Sequence, residues 1–465
     1  MQLQTPSDSR IPVSNSEHFP EIAPLPKSLE ETGLGINLLT DLTLKHLVET
    51  GVISLPELAK RLAISGSVLE EILSLMRKEA LVQVLGGNDA SGALRFGLTE
   101  RGRQNGLDAL TRNGYVGPAP VPLHQYTRVV QNQSVHNSAI TKDLMSIAFK
   151  DLIIDESLLD QLGPAVTSGR AIFIYGPAGT GKTYITQKLA RLFSDEVLVP
   201  HAIAVNDTVF SVFDPIAPTP IVRDTPTLDL RFSKGYDPRW VPCERPVLVS
   251  GGELTAEMLE IQHDLGNREY RAPLQLKANN GIYIIDDMGR QRVTPEEIFN
   301  RWIVPMEEKK DYLNLGSGRT FSVPFDLVLV FSTNLQPQDL ADEAFLRRIG
   351  YKIRFGYLTE PQYQQIWDEV CLDQGIQSST EVVRHVIQNL HVKHNVPLLP
   401  CHPRDLIGIA LDHANYMQQP AVLTSDLMNW AWHNYFVSLN DDSSNQQNRT
   451  AGESRPPNYG ASNNV

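Results

Sequence analysis

The stretch AIFIYGPAGTGKTYITQKLARLF, residues 171–193, decides the fold. Its first five residues are apolar and β-prone without interruption, which is typical of a strand buried on both faces. This run passes directly into a Gly-rich segment and then into TYITQKLARLF, whose apolar residues recur at the spacing of an amphipathic helix. A buried strand, a Gly-rich loop and a helix in this order predict an α/β domain.

The Gly-rich segment GPAGTGKT matches the pattern GxxxxGK[ST], which cradles nucleotide phosphates when it joins a strand to a helix. Gly176, Gly179 and Gly181 let the backbone curl so that its amides point at phosphate oxygens, assisted by the positive end of the following helix. We expect Lys182 to reach the β- and γ-phosphates and the Thr183 hydroxyl to hold Mg²⁺. The alternative is a Gly-rich turn that binds nothing. The predicted ATP-binding residues are Gly176, Pro177, Ala178, Gly179, Thr180, Gly181, Lys182 and Thr183.

A second apolar run, Ile282 to Ile285 in GIYIIDDMG, is followed directly by two acids. A magnesium-nucleotide site needs a carboxylate at the end of a second buried strand, which we expect next to the first. We therefore predict that Asp286 holds the metal through its water shell, together with Thr183, and that Asp287 polarises the attacking water. The alternative is that the two acids cap a loop.

Residues 140 to 438 resemble the AAA+ ATPase superfamily of P-loop NTPases. Three motifs after the acidic strand carry the resemblance: LVLVFSTN, DEAFLRRIGYKIRF and HPRDLIGIALDHA. Each motif alone is common, but they follow in the order that the superfamily prescribes. The resemblance implies ATP and Mg²⁺ as cofactors, hydrolysis of ATP to ADP and phosphate, and a homo-oligomeric ring.

The resemblance also implies roles for four polar residues. Asn334 occupies the sensor-1 position, between the γ-phosphate and the catalytic water. Arg348, with Arg347 as the second choice, occupies the position of the arginine finger that reaches the nucleotide of a neighbouring subunit. Arg404 occupies the sensor-2 position in a helical lid. The arginines among these residues would stabilise the negative charge that spreads over a transferring phosphoryl group.

One residue departs from the superfamily pattern, which usually has Glu after the metal-binding Asp. Here Asp287 stands in its place, shorter by one methylene. Because a base displaced by about one ångström can lose a large factor in rate, slow turnover or a rarely hydrolysing nucleotide switch remains an alternative.

Between the acidic strand and Asn334, the sequence DYLNLGSGRTFSVPF predicts two strands around a Gly-Ser-Gly turn. A hairpin inserted at this place resembles the branch that includes MoxR-like chaperones and magnesium chelatase subunits, and NRWIVPMEEKKDYL resembles the helix of that branch.

The region 34–112 has a different pattern of short amphipathic helices. INLLTDLTLKHLVET predicts the first helix, and capping boxes at Ser54 and Ser67 predict the starts of two more. LVQVLGGNDASGALRFGL then predicts a hairpin around a turn rich in Gly and Asn. Helices followed by a hairpin resemble a winged helix-turn-helix domain.

A winged-helix domain can bind DNA through its third helix or dock onto a protein. Glu70 and Glu71 lie at the start of that helix, where phosphates would repel them, and the net charge of the chain is -13. We therefore favour a protein adaptor, with DNA binding as the alternative.

The expected fold class is α/β: an AAA+ core with a parallel sheet between helices, an all-α lid, and a winged-helix domain in front. Four helical stretches are predicted for the lid, with Trp367, Trp430 and Trp432 as its core. A long Pro-rich connection is predicted over residues 206–252, where Tyr236 either packs or grips a substrate. The predicted organisation is a disordered tail (1–33), a winged-helix domain (34–112), a Pro-rich linker (113–139), the ATPase core (140–357), the lid (358–438) and a second disordered tail (439–465).

No run reaches the roughly 18 apolar residues of a membrane helix, so we expect no membrane insertion and a cytoplasmic location. The preferred function is an oligomeric ATPase that remodels a protein client. An ATP-regulated DNA-binding regulator and a slow nucleotide-switched ring are the alternatives.

Overall fold

The computed structural model describes residues 18–85, 94–137, 140–215, 218–221, 235–315, 319–377 and 379–436. The chain divides into two compact units. The first runs to Phe355, and the second runs from Gly356 and includes the three loop residues Gly179–Gly181. Residues 1–17 of the first predicted tail and all of the second, residues 439–465, lie outside the described ranges.

The N-terminal region of the first unit combines helices with a small antiparallel sheet, in which the strand order is β1-β3-β2. Leu39, Leu58, Leu69 and Ile72 are fully buried between its helices. The elements are α1 (Phe19–Ile22), α2 (Leu29–Thr32), α3 (Ile36–Thr50), β1 (Val52–Ser54), α4 (Leu55–Leu62), α5 (Gly66–Lys78), β2 (Val82–Leu85), β3 (Arg95–Leu98) and α6 (Glu100–Arg112).

The three predicted helices and the hairpin are present, but both capping boxes are wrong. Ser54 lies directly before α4, as predicted, but its side chain makes no capping hydrogen bond to the helix. Helix α5 begins one residue before Ser67, and the Ser65 hydroxyl accepts the hydrogen bond from the Val68 amide. The turn predicted between β2 and β3 falls largely on residues 86–93, outside the described residues.

Residues 18–33 are folded, which corrects the prediction of a disordered tail for this part. Phe19 is only 1% exposed and meets the Tyr236 ring edge-on, with centroids 5.7 Å apart. The buried Arg239 guanidinium donates to the carbonyl oxygens of Thr32 at 3.0 Å and Pro120 at 3.1 Å. An apolar anchor and a buried cation thus hold this segment, and neither partner is near it in sequence.

The predicted Pro-rich linker also contains regular structure, namely β4 (Val121–Pro122) and α7 (Leu123–Asn132). Strand β4 pairs in parallel with a strand that includes Ile203. Tyr126, Val129 and Val130 of α7 are buried in the same cluster as Ile203. The linker is therefore a packed part of the first unit.

The remainder of the first unit contains the buried strand, Gly-rich loop and helix of residues 171–193. Its elements are α8 (Lys142–Ala148), α9 (Glu156–Thr167), β5 (Ile172–Tyr175), α10 (Lys182–Lys188), β6 (Glu196–Pro200), β7 (Ala202–Val205), β8 (Thr208–Ser211), β9 (Trp240–Glu244), β10 (Val247–Ser250), β11 (Gln262–Asp264), β12 (Glu269–Arg271), α11 (Leu274–Lys277), β13 (Ile282–Ile285), α12 (Pro295–Glu308), β14 (Lys310–Asn314), β15 (Thr320–Pro324), β16 (Val328–Thr333), α13 (Pro337–Leu340), α14 (Glu343–Arg348) and β17 (Tyr351–Arg354).

A five-stranded sheet, in the order β10-β13-β16-β5-β17 with all neighbours parallel, forms the centre of this unit. Alternate side chains of each strand point to opposite faces. Ile172 and Ile174 pack with residues of α8, α9 and α10, whereas Phe173 packs with residues of α12 and α14. Together with the helical second unit, this sheet between helices confirms the predicted α/β class. No helix in the described part of the chain is long and apolar enough to cross a membrane.

The region 206–252 is more regular than predicted, since it contains β8, β9 and β10. Strand β8 belongs to a second sheet in the order β11-β12-β8-β7-β4. The segment GGELTAEMLEIQ that follows this region forms a short 3-10 helix and the start of β11. Tyr236 is 6% exposed, which supports the packing interpretation. The stretches 216–217 and 222–234 lie outside the described residues.

The hairpin predicted between the acidic strand and Asn334 is present, because β14 and β15 pair antiparallel with Lys310 opposite Pro324. Leu313 and Val323 are buried between it and the second sheet. Its turn includes residues 316–318, outside the described ranges.

The second unit is helical, as predicted: α15 (Glu360–Asp373), α16 (Thr380–His385) continuing as a π-helix (Val386–Val392), α17 (Cys401–Tyr416) and α18 (Ser425–Tyr435). Trp367 and Trp432 are buried in its core. Trp430 is 41% exposed and stacks on His413, so the prediction of a core position for Trp430 was wrong.

Two histidines in this core make its stability depend on pH. Burial lowers the pKa of His391 to about 4, and burial together with the nearby His391 lowers the pKa of His402 to about 4. Since the unfolded chain binds protons near pH 6.5 and the folded chain only near pH 4, acidification through this window favours unfolding. We expect each histidine to remove on the order of 1 kcal/mol between pH 7 and pH 5.

The His402→Phe variant keeps an aromatic ring beside Tyr435 and Phe436, which lie edge-on to His402. Its melting temperature should fall less between pH 7 and pH 5 than that of the wild type. An equal fall in both proteins would show that His402 does not contribute.

Candidate functional site

The loop that follows β5 has the backbone conformation that its glycines were predicted to allow. Gly176, Gly179 and Gly181 have φ angles of 142°, 79° and 82°, in the region that side-chain-bearing residues avoid. A Cβ atom at Gly176 would also lie 2.2 Å from the Phe355 carbonyl oxygen. The loop then enters α10 at Lys182, so this helix begins directly after the predicted phosphate cradle.

Lys182 is 6% exposed and is held by three oxygen atoms. Its ammonium donates to the carbonyl oxygens of Gly176 at 2.9 Å and Pro177 at 2.8 Å, and to Asn334 Oδ1 at 2.6 Å. Burial lowers the pKa of Lys182, while Asp286 and Asp287 act in the opposite direction. The structure therefore places a buried ammonium beside two carboxylates, at the position where the sequence predicted phosphate binding.

Thr183 and Asp286, the predicted metal ligands, are in direct contact, with the Thr183 hydroxyl donating to Asp286 Oδ2 at 2.7 Å. A hydroxyl and a carboxylate suit Mg²⁺, which is commonly held by one or two carboxylates together with substrate phosphates and waters. No cluster of three or more His, Cys, Asp or Glu side chains in the described residues could hold a metal by itself. The pair fits a magnesium ion that arrives with a nucleotide.

The order of strands corrects one detail of the prediction. The acidic strand β13 does not neighbour β5, because β16 lies between them. Asn334 directly follows β16. Its side chain contacts Lys182, which follows β5 on one side, and Asp287, which follows β13 on the other. Its Oδ1 accepts from Lys182, and its Nδ2 donates to Asp287 Oδ1 at 3.2 Å. Asn334 thus connects the phosphate loop to the second acid, and its role as sensor 1 stays a prediction.

The turn after β13 fixes the two acids. Asp286 N donates to Ser250 O of β10, and Met288 N donates to Ser332 O of β16, each at 2.8 Å. Between these two bonds, Asp287 has a left-handed backbone with φ of 49°. The carboxylate of Asp287 is therefore aimed by an uncommon backbone conformation.

Two of the three predicted arginines form ion pairs with glutamates. Arg347 pairs with Glu343 at 2.7 Å, and Arg348 on the same helix, α14, pairs with Glu307. Arg404 is an exposed residue of α17 in the second unit. The structure of the single chain thus brings together Lys182, Thr183, Asp286, Asp287 and Asn334, and the roles of the arginines stay predictions.

Gln291 also lies at the site, although no sequence pattern predicted a role for it. Its side chain donates to Asp286 O at 2.8 Å and accepts from Gly289 N at 2.8 Å. It belongs to no motif, and the one available signal is its place just after a Gly-containing turn that begins with two acids.

Comparison with known proteins gives one match to a family model, described as "Domain of unknown function (DUF8689)", over residues 359–434. This range falls within the helical unit. No curated protein matches the chain.

Several solved structures resemble the chain weakly. The Thermotoga maritima RuvB Holliday junction branch migration motor is 12% identical, with a TM-score of 0.34, over 64% of this chain and 72% of that one. A point variant of the same motor gives a TM-score of 0.36 at 12% identity, over 64% and 75% of the two chains. NtrX from Brucella abortus gives 0.38 at 14% identity, over 69% and 60%. Likeness at this level carries no argument about activity.

Proposed function

We propose that this protein binds ATP with Mg²⁺ and hydrolyses it. The observation that carries the proposal is the convergence of a buried lysine, a hydroxyl–carboxylate pair and a second carboxylate at the carboxyl ends of neighbouring parallel strands. Ligands of open α/β sheets bind at this edge. The backbone of the glycine loop adds amides that suit phosphate oxygens.

Each residue of the cluster has a role that follows from its chemistry. Lys182 would exchange its present oxygen partners for β- and γ-phosphate oxygens, and Thr183 and Asp286 would hold Mg²⁺. Bound Mg²⁺ neutralises charge that develops on the phosphates. Asp287 would orient the attacking water, with Asn334 fixing the carboxylate beside the γ-phosphate.

We further propose that the chain is an AAA+ ATPase of the MoxR-like branch and works as a homo-oligomeric ring. The β14–β15 hairpin between the acidic strand and β16 supports the branch. In such a ring Arg348, or Arg347, would leave its glutamate to reach the nucleotide of a neighbour, and Arg404 would act as sensor 2. Remodelling of a protein client is the work that we assign to the ring.

The N-terminal helices and sheet, residues 34–112, would serve as a winged-helix adaptor for a protein partner. Glu70 and Glu71 are exposed, although they lie in the second turn of α5 and not at its predicted start, because the helix begins at Gly66. Arg112 is already paired with Asp41 at 2.7 Å. Both features favour a protein partner over the phosphate backbone of DNA.

The Asp287→Asn variant tests the hydrolytic part of the proposal, because it keeps the size of the side chain and removes its basicity. We expect the wild type to release phosphate from ATP only with Mg²⁺. The variant should bind ATP with unchanged affinity and lose roughly a hundredfold or more in kcat, the scale of a general base. Equal kcat values in the two proteins would contradict the role of Asp287.

A further inference from the structure

We propose that Gln291 is a positioning residue for Asp287, and that it compensates for the shortness of this acid by pinning the turn from which it projects. This inference rests on the proposed ATPase function. It concerns the residue that departs from the usual pattern of the superfamily.

The turn from Asp286 to Gly289 needs such a restraint. Asp287 has a φ of 49° and Gly289 a φ of 104°, so two of its residues have positive φ angles. A left-handed conformation is unfavourable for a residue with a side chain and persists where its surroundings hold it. The Arg290 amide donates to Asp287 O at 3.0 Å, which closes the turn only at its far end.

Gln291 supplies the restraint at the near end. Its Nε2 donates to the carbonyl oxygen of Asp286, immediately before Asp287, and its Oε1 accepts from the amide of Gly289, two residues after it. One side-chain amide therefore bridges the residues on either side of the strained position. Both bonds are 2.8 Å long, so the Asp286–Asp287 and Met288–Gly289 peptide groups, one before and one after Asp287, are fixed from one point.

The remaining contacts of the turn direct the carboxylate toward the phosphate loop. Met288 is buried and is tied to β16, since its amide donates to Ser332 O and its carbonyl oxygen accepts from Thr333 Oγ1. Asp287 Oδ1 accepts from Asn334, which also contacts Lys182. With the turn pinned on both sides, the left-handed backbone determines where the short carboxylate ends.

If Gln291 positions Asp287, its removal should lower the rate of ATP hydrolysis without weakening ATP binding. Gln291 contacts the backbone oxygen of Asp286, whereas the Asp286 side chain contacts Thr183 and would hold the metal. Loss of Gln291 should therefore release Asp287 while the nucleotide still binds. A displacement of about one ångström at the base is expected to lower the rate by up to roughly a hundredfold.

The test compares Gln291→Met with Gln161→Met in the full-length protein. Gln161 is an exposed glutamine of α9 whose Nε2 donates to Ser157 O, so its variant loses a similar bond away from the site. Gln291→Met should lower kcat roughly ten- to a hundredfold while the ATP dissociation constant changes by less than about twofold. Gln161→Met should match the wild type. Gln291→Ala should lose as much as Gln291→Met, because the bonds and not the bulk are decisive.

Two further readouts distinguish positioning from a general loss of structure. In the ligand-free protein, hydrogen exchange of the Gly289 amide should speed up in Gln291→Met, because its acceptor is gone. On an Asp287→Ala background, Gln291→Met should cause no further loss of kcat, since residues that act through one another are not additive.

The outcomes also separate this inference from the function on which it rests. A wild type that does not hydrolyse ATP overturns the proposed function and the inference with it. A wild type that hydrolyses ATP at the same kcat as Gln291→Met overturns only the inference, as does a full additional loss on the Asp287→Ala background.

Discussion

Replacing Lys182 by alanine is expected to remove ATP hydrolysis and to weaken ATP binding strongly. The Lys182 ammonium lies among the loop carbonyls, Asn334 and the two acids. A preorganised cation in a water-poor site is worth about a hundred- to a thousandfold in rate, because it need not reorganise when charge develops. We therefore expect kcat/KM for ATP to fall by at least about a hundredfold.

Lys188 provides the matched control for this substitution. It lies on the same helix, α10, six residues further along, and its ammonium lies over the Tyr184 ring at 5.5 Å. Lys188→Ala should retain the activity of the wild type in the same phosphate-release assay. If Lys182→Ala retained activity while folded, the assignment of the phosphate site would be wrong.

Arg239→Met should cause the largest loss of stability in the first unit. Arg239 and Asp237 are 1% and 2% exposed, and the guanidinium contacts both oxygens of the carboxylate. Removing one partner of a buried pair leaves the other charge uncompensated, which costs about 3–5 kcal/mol. The carbonyl oxygens of Thr32 and Pro120 would also lose the hydrogen bonds from Arg239, and Thr32 O would keep only the 3.4 Å bond from Gln125.

Arg112→Met is the control, since its 2.7 Å pair with Asp41 is exposed to solvent and such pairs contribute about 0–1 kcal/mol. Urea unfolding of both variants should show a much lower midpoint for Arg239→Met only. The segment 18–33 should also become sensitive to protease in that variant. Similar midpoints for the two variants would show that the buried pair does not hold the N-terminal segment.

The sequence predicted those parts of the fold whose signals are local. Strand β5, its glycine loop and α10 follow one another in a single stretch, and the acids follow directly on β13, so chain order alone placed them. Helix α3 was predicted with the bounds that the structure has, because its apolar spacing runs between two glycines. The two acids were expected beside the phosphate loop because a magnesium-nucleotide site needs a carboxylate at the end of a second buried strand, whereas the place of Asn334 came from the resemblance to the AAA+ superfamily.

Features that depend on distant partners were missed. Phe19 packs against Tyr236, which is distant in sequence, so no local pattern predicts this contact. A polar, Pro-containing segment was therefore predicted to be a disordered tail. The order of strands was also hidden, because β16 inserts between β5 and β13 although it follows both in the chain. The contacts of Gln291 could not be predicted, because they depend on the conformation of the turn that it bridges. That conformation includes the left-handed backbone of Asp287.

Equilibrium binding of ATP to the wild-type protein in the presence of Mg²⁺, followed by titration calorimetry, tests the central claim most directly. We expect one ATP per chain, with the affinity lost in Lys182→Ala and reduced when EDTA removes the metal. A folded wild-type protein that releases or absorbs no heat with ATP, and retains no nucleotide in equilibrium dialysis, would contradict the assignment of this site.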